Sequence, residues 1–192
     1  MRSAVMTCVL LVAAQSWAQE MTQERALKIF AACETQRAKA LAALPAARGK
    51  VIAKRPKDMV KQLEDLKELE ETLNAPDFLM FPEMHFDSMT VGDVGLLANG
   101  GSVGVLQVID KANFISKFGN MRFWFEAVDT SEAVDGARVT LSAVYEVTGT
   151  RQYKTVAGST STVLVLRPFD GTALRPFLKD RPESKVKKPT KK

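Results

Sequence analysis

Two hydrophobic rhythms divide this chain. From Thr22 to Leu44, Ala26, Leu27, Phe30, Ala31, Ala38 and Leu41 recur at helical spacing, with alanine throughout. Thr22 is placed to cap this helix and Pro45 to stop it. Ala46 to Arg55 then reads as a basic connector. A second helix is predicted over 56–73. Pro56 suits a first turn, Met59, Leu66 and Leu73 fall seven apart, and Val60, Leu63 and Leu69 widen the stripe. Glu64, Glu68, Glu70 and Glu71 stand among Lys61 and Lys67 at spacings that allow ion pairs along the helix. Asn74-Ala75-Pro76 ends it. The pattern predicts an antiparallel helical hairpin. Its leucine stripe covers about two and a half heptads, short of a coiled coil, so packing within the chain is expected ahead of pairing with another chain.

At Phe78 the rhythm changes. Strands are predicted at 103–109, 113–118, 122–128, 138–147, 150–156 and 161–167, where valine, threonine and aromatic residues concentrate. Asn99-Gly100-Gly101, Gly119-Asn120, Asp135-Gly136, Thr148-Gly149 and Ala157-Gly158-Ser159 supply turn residues between elements. Val139, Leu141, Ala143, Tyr145 and Val147 alternate with Thr140, Ser142, Val144 and Glu146, giving one more apolar face. The expected class is α+β. An N-terminal helical hairpin precedes a small antiparallel β-barrel of the OB or SH3-like kind, with a β-sandwich as the alternative. Arg167-Pro168-Phe169 recurs as Arg175-Pro176-Phe177, which predicts an extended strap whose phenylalanines dock on the barrel.

The chain opens with Met1-Arg2, an apolar run from Ala4 to Ala14, and Ser16-Trp17-Ala18, the order of a secretory signal peptide. The run is shorter than the roughly 20 residues a membrane span needs. The expected organisation is leader 1–18, hairpin 19–76, β domain 77–178 and a disordered basic tail 179–192. The protein is expected to be exported, periplasmic or extracellular, with no transmembrane segment in the mature chain. Hydrophobic residues make up 46% of the sequence, an ordinary globular share.

Charge is unevenly placed. The tail carries +5 of the chain's net +5, and Arg2 adds one more cation. Gln19 to Leu178 is therefore near −1, which argues against a globally basic nucleic-acid binder. The tail suits weak electrostatic contact with anionic surfaces, or simple solubilisation. Cys33 is alone once Cys8 leaves with the leader, and Val5-Met6-Thr7 before Cys8 does not make a lipobox. A small apolar residue on a helix face is the expectation for Cys33.

Catalytic patterns are sparse. His85 is the only histidine, so a nucleophilic triad lacks partners. Glu83, His85 and Asp87 would share one face of an extended segment, a metal-capable set that a solvated linker explains as well. Asp129, Glu132 and Asp135 form a carboxylate loop without EF-hand spacing. Gly92, Gly95, Gly100, Gly101 and Gly104 lack the Gly-Lys-Ser/Thr of a phosphate loop. No cofactor, metal or catalytic residue is assigned. The best ligand-binding candidates are Arg122, Trp124, Arg151, Tyr153 and Lys154, an aromatic and basic set on predicted strands.

Val91-Gly92-Asp93-Val94-Gly95, Asp129-Thr130-Ser131, Asp135-Gly136, the run from Val144 to Thr150, Tyr153-Lys154-Thr155-Val156 and Gly158 to Val163 are similar to a pattern in uncharacterised exported bacterial proteins. The resemblance spans roughly residues 90–168 and leaves out the helices. It implies a shared β domain and no assigned activity.

The expected function is a non-enzymatic cell-envelope protein of binding or assembly, partnered by a protein or an envelope polymer. A carbohydrate- or polyanion-binding module using the Trp124 face is the alternative, and a small envelope hydrolase is a weaker third. Mass spectrometry of protein recovered from cells is expected to find Gln19 at the N-terminus; retained Met1 or Arg2 would contradict export.

Overall fold

The computed structural model describes residues 20–52, 56–131, 133–154 and 158–181, without the side chains of 56–58. The expected leader and the tail from Pro182 onward lie outside the described residues, as does the end of the predicted 150–156 strand. The order of elements is α1 (Gln23–Ile52), α2 (Pro56–Asn74), β1 (Glu83–Met84), β2 (Val94–Leu97), β3 (Ser102–Asp110), β4 (Asn113–Phe118), β5 (Met121–Phe125), β6 (Arg138–Thr140), β7 (Val144–Lys154) and β8 (Thr160–Pro168). Short 3₁₀ segments occupy Asn99–Gly101 and Gly171–Asp180. The class is α+β.

Thr22 does cap α1, its hydroxyl accepting from Arg25 N–H at 3.2 Å. Pro45 does not stop it. The helix runs on to Ile52, because Leu44 and Val51 are both buried and lie seven residues apart on one face. Their burial offsets a proline penalty of about 3 kcal/mol. The expected connector of 46–55 therefore loses residues 46–52 to the helix. Leu73 is fully buried in α2, and Arg48 pairs with Glu70 across the hairpin.

All eight strands belong to one sheet, ordered β1-β2-β7-β8-β5-β4-β3-β6, so the two-sheet alternative does not apply. The sheet is mixed, not antiparallel throughout: β1 with β2 and β5 with β8 run parallel. It is also strongly curled. β6 and β7 stand five places apart in the sheet but are joined by only Leu141, Ser142 and Ala143. Five strand spacings would measure about 24 Å in a flat sheet, whereas this connection reaches about 14 Å at full stretch. The sheet must bend its ends together, and it forms a half-barrel.

The two connections that force this curl meet at one point: Leu141 N–H donates to Gly101 O at 3.0 Å, extending the β3–β6 ladder to where the β2–β3 and β6–β7 connections touch. Gly101 has φ +68°, and a Cβ placed there would lie 1.9 Å from Leu141 O. The concave side of the half-barrel holds the main core, including Val103, Phe114, Phe123, Phe125, Val147 and Leu166. Phe114 stacks on Phe125 with centroids 4.9 Å apart.

Several strand boundaries differ from expectation. Ala127, at φ +54°, breaks the chain after β5, so the 122–128 strand ends early. The predicted 138–147 strand is cut at Leu141 by the crossing just described. Thr148-Gly149 is not a turn: β7 passes through it, and the register shifts between Val147 and Gly149 as at a bulge. β1 and β2 were not anticipated. The expected strap is a 3₁₀ helix that includes Arg175-Pro176-Phe177 and runs past the expected start of the tail at 179. Phe169 and Phe177 do dock, though against α1 as well as the sheet. They pack in a second cluster with Phe30, Cys33, Val94 and Leu174.

Glu146 fixes α1 to this end of the sheet. It is buried on β7, and its two oxygens accept from Arg25 of α1 at 2.5 Å and from Arg167 of β8 at 2.9 Å. Arg181 holds the C-terminal end by bonding Glu34 of α1 and the carbonyls of Pro76 and Phe78.

Substitution at neighbouring glycines separates closure from backbone strain. Gly100→Ala, at φ +64° with open space around it, is expected to cost about 1–2 kcal/mol. Gly101→Ala is expected to exceed that by about 2 kcal/mol or more, because it also clashes with Leu141 O. Urea unfolding midpoints measure both; equal losses would contradict the closure contact.

Candidate functional site

Alternation along each strand assigns side chains to the core or to the opposite, convex face. Phe123 and Phe125 point into the core, so Arg122 and Trp124 point outward. Trp124 lies with Ile115, Val163 and Val165 in a small cluster on that face, and Tyr153 packs against it. The Arg151 guanidinium covers the indole at 4.3 Å from the ring centroid and donates to Glu126 Oε1 at 2.9 Å.

Four of the five expected ligand-binding residues, Arg122, Trp124, Arg151 and Tyr153, therefore share one face. Lys154 does not. It follows Tyr153 on the same strand and pairs with Thr160, so it belongs to the other side. Trp124 is only 9% exposed, and its ring supports Arg151 rather than offering a free stacking surface. Among the described residues, Trp124 Nε1 and Tyr153 Oη are buried without a hydrogen-bond partner.

The register adds residues that the sequence reading missed. Arg138 of β6 lies opposite Gly104 of β3, Gly104 opposite Lys117 of β4, and Lys117 opposite Arg122 of β5. The parallel pairing of Phe123 with Leu164 places Arg122 beside Val163, which lies opposite Arg151 of β7. One transverse row of the convex face thus reads Arg138, Gly104, Lys117, Arg122, Val163, Arg151. Six adjacent strands put its ends about 24 Å apart along the sheet surface. All four cations are exposed.

Two of these cations have local partners. Arg138 donates to Ser102 Oγ at 3.2 Å, and Arg151 pairs with Glu126. Lys117 and Arg122 form no ion pair among the described residues. They are like charges placed directly opposite each other, an arrangement that destabilises a strand pair. Lys117 was legible in principle. Gly119-Asn120 is a two-residue turn, and such a turn fixes 117 opposite 122. Arg138 was not, because the β3–β6 pairing joins residues far apart in sequence.

Arg122 also lines a cleft of about 340 Å³ at one end of the sheet, where Asn120, Ser161 and Thr162 meet the core-side residues Phe86, Met121 and Leu164. The cleft exists because β8 begins at Thr160, whereas its pairing with β5 begins only at Leu164 and Phe123. A second groove of about 260 Å³ lies between α1 and the 82–94 segment, with Lys28, Glu83 and His85 among its lining residues.

The other chemical candidates have local roles. Glu83, His85 and Asp87 are exposed and alternate with buried Met84 and Phe86. Asp135 accepts from Val108 N–H at 2.7 Å and seals that stretch of β3. Asp129 accepts from Ser131 N–H at 2.9 Å, a bond that lowers its pKa; Glu132 lies outside the described residues. Among the described residues, no three histidine, cysteine or acidic side chains are grouped to hold a metal ion. Cys33 is buried on the inner face of α1, and burial pushes its thiol up to about 11, so it stays protonated and unreactive at neutral pH. Gly92, Gly100 and Gly101 are turn residues with positive φ, while Gly95 and Gly104 lie in strands. Comparison with known protein families, curated proteins and solved structures finds no match to this chain.

In protein beginning at Gln19, Trp124 is the only tryptophan. Arg151→Ala is expected to red-shift its emission and raise acrylamide quenching. The loss of stability should be about 1 kcal/mol or less, the range of an exposed cation–π contact. Unchanged emission would mean that Arg151 does not cover the ring.

Proposed function

We propose that this chain is an exported, non-enzymatic binding protein of the cell envelope that holds a polyanion on its convex sheet face. The half-barrel then works as small barrels of the OB or SH3-like kind do, with a strand surface as the contact region. Residues 104–163 supply that row and its surroundings.

The observation that carries this reading is the exposed, uncompensated pair Lys117 and Arg122 at the centre of a four-cation row. An anionic polymer lying across the strands relieves their repulsion and neutralises the row in sequence. Assembly through the helical stripe is less well supported. Val60 and Leu69 are the exposed large apolar residues of α2. Nine residues apart, they lie on opposite sides of a helix turning 3.6 residues per turn. They flank the partly buried Met59, Leu63 and Leu66 rather than form a patch.

Heparin serves as a generic polyanionic probe. Full-length protein from Gln19 is expected to bind it at low salt and to release it steeply as salt rises. Lys117→Ala and Arg122→Ala should each weaken binding up to about fivefold. Each should also reduce the slope of log affinity against log salt by about one. Because the tail is kept in every variant, the differences report the sheet face. Variants that bind like the parent, with the same slope, would overturn the assignment.

A further inference from the structure

We infer that the polyanion is an acidic polysaccharide, and that the cleft beside Arg122 takes one of its sugar rings; this rests on the sheet-face reading above. The cleft's volume of about 340 Å³ falls within the roughly 300–1,000 Å³ of small-molecule sites. Arg122 belongs both to the cationic row and to the cleft wall, so a polymer tracking the row passes its mouth.

The cleft has polar and apolar walls. Asn120, Ser161 and Thr162 supply amide and hydroxyl donors and acceptors, and Phe86, Met89 and Met121 supply apolar surface against which the carbon face of a sugar ring can pack. Asp87 also lines the cleft and is exposed. A carboxylate there repels a phosphate or sulfate but accepts hydrogen bonds from sugar hydroxyls. The occupant must therefore be locally neutral and rich in donors, while the row alongside needs negative charge. A glycan that alternates neutral rings with acid-bearing rings meets both demands. A nucleic acid does not, because its charge recurs at every nucleotide. Single-strand binders also stack bases on open aromatic rings, and the outward-facing Trp124 is already covered by Arg151.

The test compares hyaluronate, which alternates neutral and acidic sugars, with polyphosphate and oligothymidylate. Each is titrated at low salt into full-length protein from Gln19. Hyaluronate is expected to bind tightest. Thr162→Val, which keeps shape and charge, should weaken hyaluronate about fivefold and leave polyphosphate unchanged. Asp87→Asn should weaken hyaluronate while strengthening polyphosphate, because it removes a negative charge from the cleft. Lys117→Ala should weaken every polymer. Melting temperatures confirm that each variant is folded. Tighter binding of oligothymidylate or polyphosphate than of hyaluronate overturns the glycan assignment and leaves the sheet face standing. So does a Thr162→Val protein that binds hyaluronate like the parent. Failure of every polymer to bind overturns the sheet-face reading itself.

Discussion

A single buried carboxylate sets what this molecule can expose. Glu146 sits on the convex side of β7, where burial alone would make an anion very costly. Arg25 and Arg167 compensate it from α1 and β8. Removing one partner of such a group leaves a charge stranded in a dry setting, a loss of about 3–5 kcal/mol. The triad therefore does more than decorate the interface. It specifies that α1 covers the β2–β7 end of the convex face, where Val94 and Val144 supply the apolar contact. The helix occupies that end, and the cationic row runs clear of it, from the far half of β7 across β8, β5, β4 and β3 to β6.

The half-barrel adds a second constraint. Its curl comes from two short connections, one between β2 and β3 and one between β6 and β7, that join strands on opposite sides of the sheet. Gly101 is needed where those connections touch, since any side chain would strike the Leu141 carbonyl. The same curl makes the free face convex and spreads the row's side chains apart. An extended ligand can then lie across several strands instead of entering a closed pocket.

Local patterns were readable from the residues; long-range pairing was not. The alternation in β4, β5 and β8 was clear because one face of each is core. Both helices were visible in their apolar spacing. Pro45 misled because its penalty is local, whereas the burial of Leu44 and Val51 that outweighs it is tertiary. Thr148-Gly149 misled because glycine serves a bulge as readily as a turn. For the site, Arg122, Trp124, Arg151 and Tyr153 were found by residue type. The row was missed because Arg138 reaches it only through a β3–β6 pairing that no local signal announces. The near-neutral body concealed it as well: net charge averages over Glu34, Glu146 and the acidic face of α2, while a ligand meets only the surface it touches.

The parallel pairing of β5 with β8 has a consequence for the order of assembly. Phe123 and Leu164 are 41 residues apart, and β8 is the last strand of the sheet. Until it arrives, β5 presents an open edge carrying Phe123, Trp124 and Phe125, and β7 lacks its long hairpin partner. The segment that follows β8 also brings Phe169, Leu174 and Arg181 to α1. One stretch near the C-terminus thus closes the sheet and seats the first helix. The seating of α1 therefore waits on residues 160–181, and the helix cannot reach its native packing before they are made.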